Sequence, residues 1–313
     1  MKLDLTKEEE GGGKKKSLPI PTQPKYIKQA LLAGKHVLSE KPIAGDMSTA
    51  RSLLSFYQTE VVDKHHRGGK VVLWGVAENY RFLDKFRRVA EEVRKLGTIR
   101  AFRVSVRTLI KVGSKYHRMF FSFLFPLFWG GDGDGEGGWL GYYANGDWVI
   151  ETEWRRTPAY RGGFVLDGGI HVVAGLRLIL GKEDALAVVS AMSCLQQEHL
   201  APVDTVDAVV KTKSGATGVV SLSYGAAVNE TVFEFSCDGG VVSLNLDRVT
   251  ANGQSFEVPY EGRGVNFELA AFGESIRKGE LEARLRPEEA LADLEIMEGM
   301  FTSDGGCVQL DLQ

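Results

Sequence analysis

Asp167 and His171, which lie four residues apart in the segment DGGIH, are the side chains in this sequence whose types and spacing best suit chemistry. At that spacing two residues project from the same side of a helix, so the carboxylate could orient the imidazole or hold a substrate hydroxyl. An imidazole with a pKa near neutrality can exchange a proton with an alcohol or carbonyl oxygen. Gly168 and Gly169 would let a ligand approach the backbone closely. Taken alone, such a pair is more often a helix cap or a core contact.

Two other sets of polar residues each follow an apolar run that predicts a buried strand. Glu40, Lys41 and Pro42 follow the first run, and Asn79 and Arg81 follow the second. Ligands of open α/β sheets bind beyond the carboxyl ends of the strands. We therefore expect both sets on one rim, where Lys41 could direct a positive charge at a ligand and the bond before Pro42 could be cis. Taken alone, each set is explained as well by surface charges and a helix cap.

Two regions with different patterns must position these residues. In the first, buried strands alternate with amphipathic helices, which is typical of a doubly wound parallel sheet. In the second, the strands alternate apolar and polar residues, which predicts a large, mostly antiparallel sheet with one open face. The predicted helices are 24–33, 46–59, 83–96, 170–180, 265–279 and 287–302. The predicted strands are 35–38, 71–76, 99–109, 185–196, 204–213, 216–226, 230–237 and 240–246.

Taken together and in this order, the motifs resemble those of the Gfo/Idh/MocA family, named for glucose–fructose oxidoreductase and inositol dehydrogenase. The segment 33–42, AGKHVLSEKP, is similar to the lysine motif of that family almost residue for residue. The segment 162–171, GGFVLDGGIH, is similar to its second motif, and Trp154 and Arg155 just upstream are also typical of it. The order of strands and helices agrees over most of the chain, apart from residues 117–151.

The resemblance implies an N-terminal Rossmann domain, a C-terminal α/β domain with an open sheet, and NAD or NADP as the hydride carrier. It implies that the protein oxidises a secondary alcohol or anomeric hydroxyl of a sugar or polyol, or reduces the corresponding carbonyl. By position in the motifs, Lys41 would lie near the nicotinamide and the substrate, His171 would be the acid/base, and Asp167 would bind substrate or orient the imidazole. The residues implied for cofactor binding are Glu40, Lys41, Pro42, Asn79, Arg81, Trp154 and Arg155. Family members often pair through the open sheet, so a homodimer is plausible.

The sequence departs from the family before Leu18. Family members open with a strand, a Gly-rich turn and a helix that hold the pyrophosphate, and nothing similar precedes this residue. The string GDGEGG at 133–138 has the fingerprint spacing, but it is acidic and no strand or helix flanks it, so we reject it. We therefore predict a truncated oxidoreductase with impaired activity. The alternative is a non-catalytic remnant of the family that acts as an interaction or dimerisation module.

These observations predict a tail and two domains. Residues 1–17, with acidic, glycine and lysine runs, are typical of a disordered tail. Residues 18–97 would form a partial Rossmann domain that binds NAD(P), and residues 98–313 the substrate and dimerisation domain. The aromatic and Gly/Asp-rich segment 117–151 has neither helical nor strand periodicity. We interpret it as a foreign insertion, such as a retained intron, and a substrate lid with an aromatic lining is the alternative.

Composition and residue spacing argue against several other classes of protein. The formal net charge of -3 gives no general attraction to nucleic acid or to an anionic membrane. The longest apolar run, 119–129, is too short to span a bilayer, and the N-terminus has no apolar core of a signal peptide. The three cysteines show neither zinc-site spacing nor a disulfide framework. We therefore expect a cytoplasmic protein with a small-molecule sugar or polyol substrate and no metal, nucleic-acid or membrane partner.

Overall fold

The computed structural model describes residues 19–65, 71–112, 160–258 and 262–313. The predictions of a disordered tail and of a foreign insertion at 117–151 lie outside these residues, as do Trp154 and Arg155. The described residues contain both parallel and antiparallel strands with helices packed against them, which confirms the α/β fold class.

The first part of the chain is built around two parallel strands, β1 (Val37–Glu40) and β2 (Trp74–Ala77), with Glu40 opposite Ala77. A 3-10 turn at Ile20–Thr22 leads into the first helix, and a second 3-10 turn, Asn79–Phe82, follows β2. The helices of this part are α1 (Gln23–Leu32), α2 (Met47–Phe56) and α3 (Asp84–Lys95), and α2 continues through a π-helical segment, Tyr57–Val62, into a short helix, Asp63–His65.

Asp46 begins α2 as the sequence predicts. Its Oδ1 accepts a hydrogen bond from the backbone N–H of Thr49 at 2.8 Å, which satisfies one of the free donors at the start of the helix. Both strands begin two or three residues later than the apolar pattern predicts, because His36 and Leu73 precede the ladder. There the Nδ1 atom of His36 accepts a hydrogen bond from the Leu73 N–H at 3.0 Å.

The second part of the chain is a sheet of nine described strands in the order β10-β9-β8-β7-β3-β6-β5-β4-β11. All neighbours are antiparallel except β3 and β6, which are parallel. The strands are β3 (Ile99–Arg107), β4 (Leu186–Cys194), β5 (Thr205–Thr212), β6 (Thr217–Ser223), β7 (Glu230–Cys237), β8 (Gly240–Asn245), β9 (Arg248–Ala251), β10 (Gln254–Glu257) and β11 (Val308–Gln309). The sequence predicts six of them within about three residues at each end, and it does not predict the short strands β9, β10 and β11.

The helices α4 (Gly163–Leu180) and α6 (Pro287–Thr302) pack on one face of this sheet and join it to the first part. The helix α5 (Val265–Lys278) packs instead against the two-stranded sheet of the first part. The backbone N–H of Met47 on α2 donates to Glu298 on α6 at 2.8 Å, so the end of the chain returns to its beginning. The helix α4 is long and apolar enough to cross a membrane, but 83% of its apolar stretch is buried. That burial is typical of a core helix in a soluble protein.

The helix α4 begins at Gly163, seven residues before the predicted start. The prediction was wrong because consecutive glycines usually interrupt a helix. Here they are needed for packing: a Cβ atom on Gly168 would lie 2.6 Å from the Tyr224 hydroxyl. A Cβ atom on Gly169 would lie 2.9 Å from a methyl group of Leu222. The two glycines thus bring α4 close to the sheet and do not open the backbone to a ligand.

Candidate active site

The ends of β1 and β2 place the sequence motifs on one rim. Because the strands are parallel and Glu40 lies opposite Ala77, the next residues, Lys41 and Glu78, occupy equivalent positions. The Lys41–Pro42 peptide bond is cis. The chain therefore turns sharply after β1, and the lysine side chain points inward, where it is 6% exposed. This rim is the position at which open α/β sheets bind ligands.

Lys41 and Asp167 form a buried ion pair between this rim and α4. The Nζ atom of Lys41 donates to the Oδ1 atom of Asp167 at 2.8 Å and to its backbone oxygen at 2.8 Å. The two side chains are 6% and 3% exposed. Pairing compensates for the loss of hydration that both charges suffer on burial. The structure thus brings together two residues that lie 126 positions apart in the sequence.

His171 makes the second pair, and its partner is a residue that the sequence motifs did not single out. The Nδ1 atom of His171 lies 2.7 Å from the Oε1 atom of Glu78, which is 1% exposed. Burial by itself raises the pKa of Glu78, but His171, Arg81 and Lys41 outweigh it and hold the pKa below its usual value. The carboxylate is therefore ionised, and it accepts the proton of Nδ1. The Nε2 atom of His171 remains as the nitrogen that can exchange a proton with a substrate.

Aromatic rings fix the plane of the imidazole. The ring of Tyr80 stacks on His171 with centroids 4.9 Å apart and planes 23° from parallel, and Tyr80 itself stacks on Phe86. Burial, together with the nearby Glu78 carboxylate, raises the pKa of Tyr80 to about 12. The phenol therefore stays neutral at physiological pH. A carboxylate on one edge and a ring on one face leave His171 little freedom to rotate.

Glu40 adds a carboxyl group whose charge depends on pH near neutrality. It is half-buried by surface area, and burial is the largest cause that raises its pKa to about 8. Lys41 opposes the shift, while Asp167 and Glu78 add to it. Near neutral pH this side chain is therefore largely protonated, and Glu78 and Asp167 hold the negative charges closest to Lys41.

Asn79 and Arg81 lie on the same rim but have partners within the protein. The Nδ2 atom of Asn79 donates to the backbone oxygen of Arg263 at 2.6 Å. The Nη2 atom of Arg81 forms a buried ion pair with Asp293 on α6 and donates to the backbone oxygen of Glu289 at 3.1 Å. These contacts tie the segment after β2 to the two C-terminal helices. A cofactor role for Asn79 and Arg81 stays a prediction.

We expect Arg81→Met to lower the free energy of unfolding by about 1–3 kcal/mol, because it removes a charged partner of Asp293 inside the protein. The loss is limited because Arg177 also donates to Asp293, at 2.8 Å. Urea unfolding measures the change. Arg100→Met is the matched control, since Arg100 pairs with Asp238 at the exposed edge of the sheet and its loss should leave stability unchanged. Equal effects of the two substitutions would contradict this account.

Comparison with known proteins shows the family. The chain is 34% identical over 297 residues to the dehydrogenase FPY6 of Fusarium mangiferae, a match that covers 91% of this chain and 73% of the relative. The chain belongs to the Gfo/Idh/MocA family of oxidoreductases. The profile of the GFO/IDH/MocA C-terminal domain matches residues 139–243. The family predicted from the two motifs is thus confirmed.

Solved structures of the family share the fold. An oxidoreductase of Thermotoga maritima aligns with a TM-score of 0.75 at 24% identity and covers 94% of this chain and 76% of its own. An aldose–aldose oxidoreductase of Caulobacter crescentus, solved with glycerol, aligns with a TM-score of 0.67 at 19% identity and covers 93% of this chain and 77% of its own. Other matched structures contain NAD or NADH.

Proposed function

We propose that this chain is an NAD(P)-dependent oxidoreductase that transfers hydride between a nicotinamide and a sugar or polyol. The substrate carbon that gains or loses the hydride changes between a secondary alcohol and a carbonyl. The observation that carries the proposal is the pair of contacts on one rim, Lys41 with Asp167 and His171 with Glu78. A cation held by a carboxylate beside an imidazole held by another carboxylate is what an alcohol oxygen needs when it gains or loses a proton. The family membership supports the same reaction class.

The residues of the rim fit a nicotinamide cofactor. Two buried polar atoms there, Oε2 of Glu78 and Nη1 of Arg81, have no hydrogen-bond partner among the described residues, so an acceptor and a donor are available to a ligand. Glu40, Lys41 and Pro42 would hold the cofactor from the end of β1. Once bound, the cofactor supplies the two-electron chemistry. Whether it is NAD or NADP depends on a residue that the motifs do not include.

The side chains divide the proton chemistry between them. A bound nicotinamide would accept the hydride from the substrate C–H bond during oxidation, and the residues of the chain would handle the hydroxyl proton. The hydroxyl proton passes to the Nε2 atom of His171, and the Glu78 carboxylate stabilises the imidazolium that forms. The ammonium group of Lys41, oriented by Asp167, donates a hydrogen bond to the substrate oxygen. If Lys41 were instead the base, it would have to enter the reaction as the neutral amine, so the two roles differ in their dependence on pH.

The test of the proposal is a fluorescence titration of the purified chain with NADH and with NADPH, followed by a screen of sugars and polyols. Binding at micromolar concentration and turnover of one of these alcohols would support the enzyme. Absence of binding up to millimolar cofactor, in folded protein, would refute the proposal for this chain. We also place the protein in the cytoplasm, which localisation of a tagged chain would test.

A second candidate role, as a dimerisation module, is favoured by the open face of the large sheet. Val209 and Val219 are cross-strand neighbours on β5 and β6, and both are exposed. Met192 on β4 and Val241 on β8 are exposed as well and project from the same face, as the register of the strands shows. Three of these side chains lie on the adjacent strands β4, β5 and β6, while Val241 is separated from them by β3 and β7, and such a cluster is more than scattered surface residues require. We infer that this face pairs with a second copy of the chain.

We expect Val219→Glu to shift the protein from dimer to monomer in size-exclusion chromatography with light scattering. The substitution would bury an unpaired carboxylate between the sheet faces of the two copies, which disfavours the dimer. Leu32→Glu is the matched control, since Leu32 is also apolar and exposed but lies on α1, outside the sheet. A monomeric wild-type protein at high micromolar concentration would contradict the role. So would a dimer that both substitutions leave intact.

A further inference from the structure

Glu268 is a buried carboxyl group that the proposed reaction does not use. It lies in the first turn of α5 and its side chain is 0% exposed. Neither carboxylate oxygen has a hydrogen-bond partner among the described residues. Buried carboxylates are normally paired or hydrogen-bonded, because loss of hydration disfavours the charge. A carboxyl group with neither kind of partner is therefore neutral or awaits a partner that it meets only in another state.

The packing of α5 fixes where this side chain points. Phe272, one turn further along the helix, packs with Leu38 and Leu73 against the two-stranded sheet. At the helix start, a Cβ atom on Gly264 would lie 2.6 Å from the backbone oxygen of Asn79, so α5 lies directly against the segment that follows β2. Residues four apart share a face of a helix. Glu268 thus faces the same rim as Lys41 and Glu78.

The charged groups that face Glu268 come from both strand ends. Glu40 and Lys41 follow β1, and Glu78 and Arg81 follow β2. The two carboxyl groups disfavour a negative charge on Glu268, and the two cations favour it. The cations are engaged elsewhere, because Lys41 is bound to Asp167 and Arg81 to Asp293. Burial, followed by the repulsion from Glu40 and Glu78, raises the pKa of Glu268 well above its ordinary value.

We propose that Glu268 is a positioning residue whose proton decides which carboxylate holds Lys41. While Glu268 keeps its proton, Asp167 is the anion that orients the lysine towards the substrate oxygen. When Glu268 loses the proton to solvent base, it becomes a third buried anion near Lys41, besides Asp167 and Glu78, and competes with Asp167 for the ammonium group. The lysine then turns away from α4, and the His171–Glu78 pair loses its neighbouring cation. This inference rests on the proposed function for its catalytic consequence but not for the protonation of Glu268.

The test compares wild type with Glu268→Gln, which keeps the shape of a neutral carboxyl group and cannot lose a proton. In the folded wild type the pKa of Glu268 lies above its unfolded value, so the folded state binds the additional proton between the two values. The contribution of Glu268 to stability therefore falls as pH rises through that window, and Glu268→Gln lacks this contribution while it retains those of the other groups. At pH 8 we expect the Tm of the variant to be higher by roughly 2–4 °C, and at pH 4 we expect no difference.

Glu295→Gln is the matched control for stability. Glu295 on α6 is also buried, but it accepts hydrogen bonds from the backbone N–H groups of Asp311 and Leu312, both at 3.0 Å. The same substitution there removes charge-assisted hydrogen bonds and should lower the Tm at both pH values. If Glu268→Gln followed wild type at every pH, Glu268 would not be protonated in the folded state and the inference would be overturned.

Two measurements test whether the proton on Glu268 controls the position of Lys41. In nuclear magnetic resonance titrations, the His171 ring signals, assigned by their loss in His171→Asn, should show an inflection at the pH where Glu268 ionises. That inflection should persist in Glu40→Gln and vanish in Glu268→Gln. In the active enzyme, Glu268→Gln should move the alkaline limb of kcat/KM upward by about one pH unit or more without changing cofactor affinity.

The outcomes separate the two hypotheses. No inflection of the His171 signals assignable to Glu268, or an alkaline limb that does not move, would overturn the positioning role even if the stability difference were found. A wild-type chain that neither binds cofactor nor turns over would overturn the proposed function. In that case the stability and His171 measurements would still decide whether Glu268 carries a proton that is coupled to this rim.

Discussion

Replacement of His171 by Asn is expected to lower kcat by about 10²–10⁴-fold, while the affinity for cofactor and the Tm change little. Asn retains a side-chain donor for Glu78 but has no atom that can accept and return a proton near neutral pH. Because the imidazole is half-buried and held by Glu78 and Tyr80, its removal leaves the site in place. Steady-state kinetics over pH 5–10 with the alcohol found in the screen would measure the loss, and the limb of the profile due to His171 should disappear.

Two further variants make this prediction sharp. His199→Asn is the matched control, because His199 contacts the backbone oxygen of Ile110 through its Nε2 atom and is not on the rim. It should leave kcat unchanged. Glu78→Gln should lower kcat less than His171→Asn, because the imidazole remains but its imidazolium loses the carboxylate. A His171→Asn variant with more than a tenth of wild-type kcat would show that Lys41 handles the hydroxyl proton.

The sequence predicted that these residues share one rim because that part of the arrangement follows from local pattern. Apolar runs predict buried strands, and polar residues directly after them must share an edge when the strands are parallel. That logic placed Lys41 correctly at the end of β1 beside the segment that follows β2. The same logic applies to Glu78, which follows β2 directly, but the polar residues chosen after this strand were Asn79 and Arg81. Its partner, His171, is 93 positions away, and no local signal joins the two.

The helices show where pattern stops being informative. On α5 the buried positions are Glu268, Phe272 and Ser275, so two of the three are polar and no periodicity of apolar residues could assign that face. The start of α4 was missed because its glycines are needed for contact with Tyr224 and Leu222, which are distant in sequence. In both cases tertiary contacts decide what the residue does. Local propensity is a weak guide to such positions.

Short strands were missed for a related reason. The strand β11 has two residues and exists because the backbone of Val308 pairs with that of Val189 on β4. The strands β9 and β10 have four residues each and extend the edge of the sheet beside β8. Segments of two to four residues contain too few alternations of apolar and polar residues to be recognised as strands from the sequence. These three short strands widen the open sheet and contribute no side chain to the rim described above.

Lys41→Met is expected to lower the free energy of unfolding by about 3–5 kcal/mol, besides abolishing turnover, because it leaves the Asp167 carboxylate buried without its cation. Met retains most of the length of the lysine side chain, so packing around the cis peptide bond before Pro42 should survive. Urea unfolding at pH 7 measures the change. The matched control is Lys64→Met, which removes an exposed pair with Glu60 and should leave stability unchanged.

A double-mutant cycle with Asp167→Asn distinguishes a lost charge pair from a lost side chain. If the pair is the cause, Lys41→Met/Asp167→Asn should be more stable than Lys41→Met alone, because the second substitution removes the unpaired charge. The double variant also tests whether Lys41 takes part in the reaction. If Lys41 served only stability, the protein could lose Lys41 and Asp167 together and His171 would still support turnover. Turnover by the double variant at the wild-type rate would therefore remove Lys41 from the mechanism, whereas recovered stability without turnover would keep it there.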